Sequence, residues 1–80
     1  MNLLLAIQQY TNKLIEYGYY PKSKKPSLGK LEKMADLCYI GKYRKLSRYI
    51  PDNATEEQKQ ELNELLAKIK EICEDEKNNS

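Results

Sequence analysis

The sequence predicts an all-α domain, a small bundle of three to four amphipathic helices. Two observations carry that expectation. Apolar residues recur every three or four positions through most of the chain, and no stretch alternates with period two for long enough to make a strand. Gly18, Pro21, Pro26 and Pro51 fall between the periodic stretches, where they break helices rather than sit inside them. Length sets the scale: 80 residues make one domain. A chain this short buries only about 60% of its unfolded surface, so its helices must share a single core. That domain is expected over 1–76, with 77–80 as a disordered tail.

The first helix is predicted over 2–17. Asn2 suits the N-cap, because its side-chain oxygen can accept a free amide of the first turn. Leu3, Ile7, Tyr10, Leu14 and Tyr17 form a stripe at helical spacing, widened by Leu4 and Ile15. Gly18 comes next, as the residue that accepts a left-handed backbone. Residues 18–26, GYYPKSKKP, have no apolar period and read as a loop.

A second helix is predicted over 28–40, capped by Ser27, with Leu28, Leu31, Ala35 and Cys38 on its inner face. A third is predicted over 42–50. Gly41 stands between them. The spacing of Ala35, Tyr39, Tyr43, Leu46 and Ile50 favours helix throughout, with a bend or brief break at that glycine. Residues 28–50 loosely resemble a helix-turn-helix: Ala35 is a small residue in the first helix, and the second is basic. The turn would rest on Gly41 alone.

PDNAT at 51–55 is a turn. Thr55 and Gln58 have the spacing of a capping box, and Glu56 and Glu57 suit the positive end of the last helix. That helix is predicted over 56–74, burying Leu62, Leu65, Leu66, Ile69, Ile72 and Cys73. Glu74, Asp75 and Glu76 oppose the dipole at its end and predict fraying.

Charge is unevenly spread. Residues 17–50 carry nine Lys or Arg against Glu32 and Asp36, a net +7, whereas residues 51–80 sum to −5. A sequence with no histidine lacks the commonest general base and most metal sites. Its three glycines are isolated, so there is no phosphate loop. No enzymatic activity, metal or cofactor is expected. The i,i+4 carboxylate pairs of the last helix read as a solvated face. Cys38 and Cys73 have no metal-ligand spacing and read as buried thiols. The five-residue apolar run at 3–7 has no basic flank and is too short for a signal peptide or a membrane span. The expected setting is a reducing cytoplasm.

The basic middle is the candidate binding region: Tyr19, Tyr20, Lys22, Lys24, Lys25, Lys42, Arg44, Lys45 and Arg48. It supports two functional expectations. The first is a small non-enzymatic interaction module of the inhibitor, adaptor, immunity-protein or small-subunit type. Its partner would be another protein or a second copy held through the first helix, whose Leu3–Leu4–Leu5–Ala6–Ile7 run is apolar almost all round. The alternative is nucleic-acid binding, with cations on phosphates and tyrosines on bases. The helical period already directs Tyr39 and Tyr43 toward the core, leaving Tyr19 and Tyr20 as the freer rings.

Overall fold

The computed structural model describes residues 2–78. Four α-helices and one short 3₁₀ turn succeed one another: α1 (Leu3–Glu16), the turn Lys22–Lys24, α2 (Leu28–Tyr39), α3 (Arg44–Ser47) and α4 (Glu56–Asn78). There is no strand among the described residues. Expected and observed class agree.

Local chemistry sets the boundaries. The Asn2 Oδ1 accepts the Leu5 amide at 2.7 Å. The Ser27 Oγ accepts the Lys30 amide at 3.3 Å. At Thr55 both limbs of the capping box form: the Gln58 amide donates to Thr55 Oγ1 at 3.1 Å, and the Thr55 amide donates to Gln58 Oε1 at 3.3 Å.

Helices α1 and α2 end in the same way. Gly18 takes a φ of +82° and Gly41 a φ of +78°. After α1, the Gly18 amide bonds to Ile15 O at 3.0 Å and the Tyr19 amide to Leu14 O at 2.8 Å. After α2, Gly41 bonds to Cys38 O at 3.0 Å and Lys42 to Leu37 O at 2.8 Å. These paired bonds are the Schellman arrangement, which a left-handed glycine makes cheap.

Gly41 therefore ends α2 outright, so the brief break expected at this glycine is a full stop between two helices. The third helix is also shorter than the predicted 42–50: only Arg44–Ser47 are α-helical, flanked by turns. Pro51 disfavours helical backbone at Ile50. A helix of four residues is too short to enter a nucleic-acid groove as a recognition helix, so the helix-turn-helix likeness ends here.

At the other end α4 runs past the predicted stop at 74, through Asn78. Lys77 lies in its last turn, where a cation offsets the dipole, and Tyr39 bonds to Glu76 there. Of the expected disordered tail, Lys77 and Asn78 are helical, and 79–80 lie outside the described residues.

Helix α1 sits centrally, against both α2 and α4. It buries Leu3, Ala6, Ile7, Tyr10, Thr11 and Leu14. Leu31, Met34, Ala35 and Cys38 close the core from α2, and Leu62, Ile69 and Cys73 from α4. Short α3 contributes Leu46, and the buried Tyr10 hydroxyl fastens it by donating to the Leu46 carbonyl at 2.8 Å. No buried side-chain nitrogen or oxygen among the described residues lacks a hydrogen-bond partner.

Candidate interaction face

The acidic helix is held by tyrosines. The hydroxyls of Tyr17, Tyr19 and Tyr39 bond to Glu61, Gln58 and Glu76 of α4. Lys13 adds ion pairs to Glu16 at 3.0 Å and to Glu61 at 3.2 Å. The Tyr17 hydroxyl, and then Lys13, hold the Glu61 carboxyl below its ordinary value. Glu16 and Glu61 together hold the Lys13 ammonium up to about 12.

These contacts place the aromatic half of the candidate set in the fold. Tyr20, expected to be free in its loop, is buried, its ring 5.2 Å from that of Tyr49. Tyr19 is half-buried and engaged with Gln58. Tyr20 is covered, whereas Tyr19 keeps part of its surface exposed. Tyr43 packs against the core as expected, with the Lys70 ammonium 5.8 Å from its ring centre. Tyr39 departs from expectation: it stays 39% exposed, with only its hydroxyl tied down. Sequence periodicity placed Tyr39 in a stripe that assumed one unbroken helix, and Gly41 breaks that register.

The cations divide into groups. Lys22, Lys24 and Lys25 are exposed on the 3₁₀ turn. The Tyr20–Tyr49 contact ties their loop to the segment just after Arg48. Lys42 is exposed in the turn after α2. Arg44 lies toward α4, where it lines a shallow hollow with Tyr43, Leu66 and Lys70. Lys45 and Arg48 face α2 instead and border a cleft of about 480 Å³ between α2 and α3.

That cleft is an open one within the basic region. Met34, Leu37, Leu46 and Tyr49 line it, and Lys30 joins Lys45 and Arg48 at its edge. Among the described residues, Lys30, Lys45 and Arg48 form no ion pair and no side-chain hydrogen bond. Sequence reasoning did not nominate Lys30. The signal was present: residues 30, 34 and 37 are spaced 4 and 3, so Lys30 shares a helical face with Met34 and Leu37.

A second surface lies at the other end of α1. Leu5 and Leu28 remain exposed, at 44% and 63%, around a hollow shared with Leu4 and Pro26. The apolar surplus of the first helix is thus mostly absorbed between α2 and α4, with Leu5 left outside.

Both cysteines are buried and free. Burial, and next the nearby Cys73, push the Cys38 thiol up to about 12. Among the described residues, no cluster of three or more Cys, Asp or Glu side chains could hold a metal ion. No described helix is long and apolar enough to cross a membrane. Compared with protein-family models, curated proteins and solved structures, the chain matches none.

Proposed function

We propose that this protein is a small, non-catalytic interaction module that binds another protein through the basic face formed by α2 and α3. The observation that supports this is the set of unpaired cations around a half-apolar cleft. Exposed cations are ordinary on a protein surface. Here they remain bare while the same molecule ties Glu61 and Glu76 into its own fold. A face left unsatisfied in this way suits an external anionic partner, and charge complementarity steers such encounters.

Nucleic acid is the competing partner. It would use the same cations, but of the two loop tyrosines Tyr20 is buried and Tyr19 is half-buried with its hydroxyl on α4, which leaves little stacking surface beside them. A protein partner needs no such platform.

The test is affinity capture from cells that carry this chain, with and without nuclease, using the natural sequence and a Lys45→Glu/Arg48→Glu variant. The expected result is a set of proteins retained after nuclease treatment and lost with the variant. Retention that depends on intact nucleic acid overturns the reading in favour of the alternative. Protein retention that ignores the charge reversal removes this face from it.

A further inference from the structure

The α2–α3 cleft combines two kinds of recognition that a bare charge patch lacks. Its exposed lining is about half apolar. The accessible apolar part comes from the half-buried Leu37 and Tyr49, with Met34 and Leu46 packed beneath them, almost wholly buried at 3% and 1% exposure. Its edge carries three positive side chains from two helices, Lys30 from α2 and Lys45 and Arg48 from α3 and its cap. At about 480 Å³ it falls within the volume range, roughly 300–1,000 Å³, of concave sites that enclose a substantial ligand group.

We infer that this cleft seats an acidic segment of a partner protein that inserts one large apolar side chain between its carboxylates. The inference rests on the proposed role of this face as the interaction surface, and it names what the face takes. Each part of the ligand answers a part of the site. A Phe or Leu side chain packs against the part-exposed Leu37 and Tyr49. Carboxylates on either side meet the rim. The Arg48 fork can take one of them through two parallel hydrogen bonds, while Lys30 and Lys45 act as point charges. A phosphodiester backbone would satisfy the rim alone and leave the apolar part in contact with water. An uncharged apolar segment would cover the apolar part and leave three cations without partners. Only a ligand with both features uses the whole cleft.

The tyrosine pair gives this site a fixed wall. The Tyr49 ring packs on the buried Tyr20 ring, so it is held from behind by the loop before α2. Leu46 is likewise fixed, since its carbonyl accepts the Tyr10 hydroxyl. A cleft whose walls are tied to the core loses little freedom on binding, which favours affinity.

The experiment uses the intact protein and four labelled probes, each monitored by fluorescence anisotropy. One is an Asp/Glu-rich synthetic peptide with a single central Phe. The second replaces that Phe with Ala. The third keeps the Phe among lysines. The fourth is a single-stranded oligonucleotide of equal charge. The first is expected to bind saturably and the third not at all. Replacing Phe by Ala should weaken binding roughly tenfold to a hundredfold, the effect of losing one buried aromatic side chain. An Arg48→Ala variant, checked by circular dichroism for unchanged helix content, should bind the first peptide at least several-fold more weakly. Added salt should weaken what remains.

Equal binding of the Phe and Ala peptides overturns the inference and leaves the broader reading of a charge-steered interaction face standing. An oligonucleotide that outcompetes the acidic peptide overturns both. Absence of saturable binding by the Phe peptide overturns the inference, and the capture experiment then decides the broader reading separately.

Discussion

Helix α4 and the α2–α3 pair carry opposite charge and use it differently. On α4, Glu61 takes the Tyr17 hydroxyl and the Lys13 ammonium, Glu76 takes the Tyr39 hydroxyl, and Gln58 serves both Tyr19 and the helix cap. On α2 and α3, Lys30, Lys45 and Arg48 touch no acidic group among the described residues. Part of the acidic surface is thus built into the fold, whereas these three cations take no part in it among the described residues. Overall charge, +2 for the chain, therefore describes neither surface.

The strongest way to break this comparison is to attack the core beneath α4. Leu62 is fully buried on the face that meets α1 and α2. Leu62→Ala should cost about 2–5 kcal/mol, from lost burial and the cavity left behind. A domain this small has a stability on the order of 5 kcal/mol, so the variant should retain about 0–3 kcal/mol and unfold at much lower urea than the natural sequence. Urea denaturation monitored by circular dichroism measures it. A loss under about 1 kcal/mol would mean that α4 rests on its tyrosine contacts rather than on apolar packing.

A second way uses pH. Burial raises the phenols of Tyr10, Tyr20 and Tyr43, with Tyr49 adding to the first two and a bond to Cys73 to the third. The Tyr17 and Tyr39 phenols are raised chiefly by their bonds to Glu61 and Glu76, Tyr39 to about 12. Above the unfolded tyrosine pKa of about 10, the folded chain therefore holds protons that the unfolded chain has released. Stability is fully present below that pH and falls as pH rises through and beyond it. The expected result is that tyrosinate absorbance near 295 nm and the loss of helix signal rise together above about pH 10. Titration of most tyrosines with the helices intact would show that these rings do not hold α4.

Much of this fold was legible in the residues, and the misses share a cause. Asn2, Ser27 and the Thr55–Gln58 box marked three helix starts because capping is a local hydrogen-bonding event. The core faces of α1 and α4 came from spacing alone. Gly41 was harder, since a lone glycine is compatible with a tolerated helix interior or a left-handed cap. The choice depends on whether the residues beyond it can find their own place in the core. Leu46 does so through Tyr10, far away in sequence. The site was half legible for the same reason. Composition flagged the cations, but the partition of Lys45 and Arg48 from Arg44, and the recruitment of Lys30, depend on how α3 packs. The tyrosine contacts were not legible in spacing at all: Tyr20 stacks on Tyr49, and the Tyr17, Tyr19 and Tyr39 hydroxyls reach the acidic helix, all across long stretches of sequence.

The smallest expected effect sharpens the comparison most directly, because it sets exposed groups of the two surfaces side by side. Tyr39 is partly exposed, and its contact with α4 is one hydroxyl bond to Glu76 near the helix end. Tyr39→Phe keeps the ring and removes that bond, so it should lower Tm slightly. It should also speed amide exchange in the last turn of α4, where three acidic residues already oppose the dipole. Lys45→Ala/Arg48→Ala removes two charges from the opposite surface, where neither has a partner to lose. It should leave Tm and the exchange of every helix unchanged, since surface substitutions away from specific contacts rarely matter to stability. Stabilisation by the double variant would also be consistent with a bare basic face, because it would show relief of repulsion between neighbouring cations. If instead the double variant lost as much stability as Tyr39→Phe, Lys45 and Arg48 would be structural, and the contrast between a built-in acidic surface and a free basic one would fail.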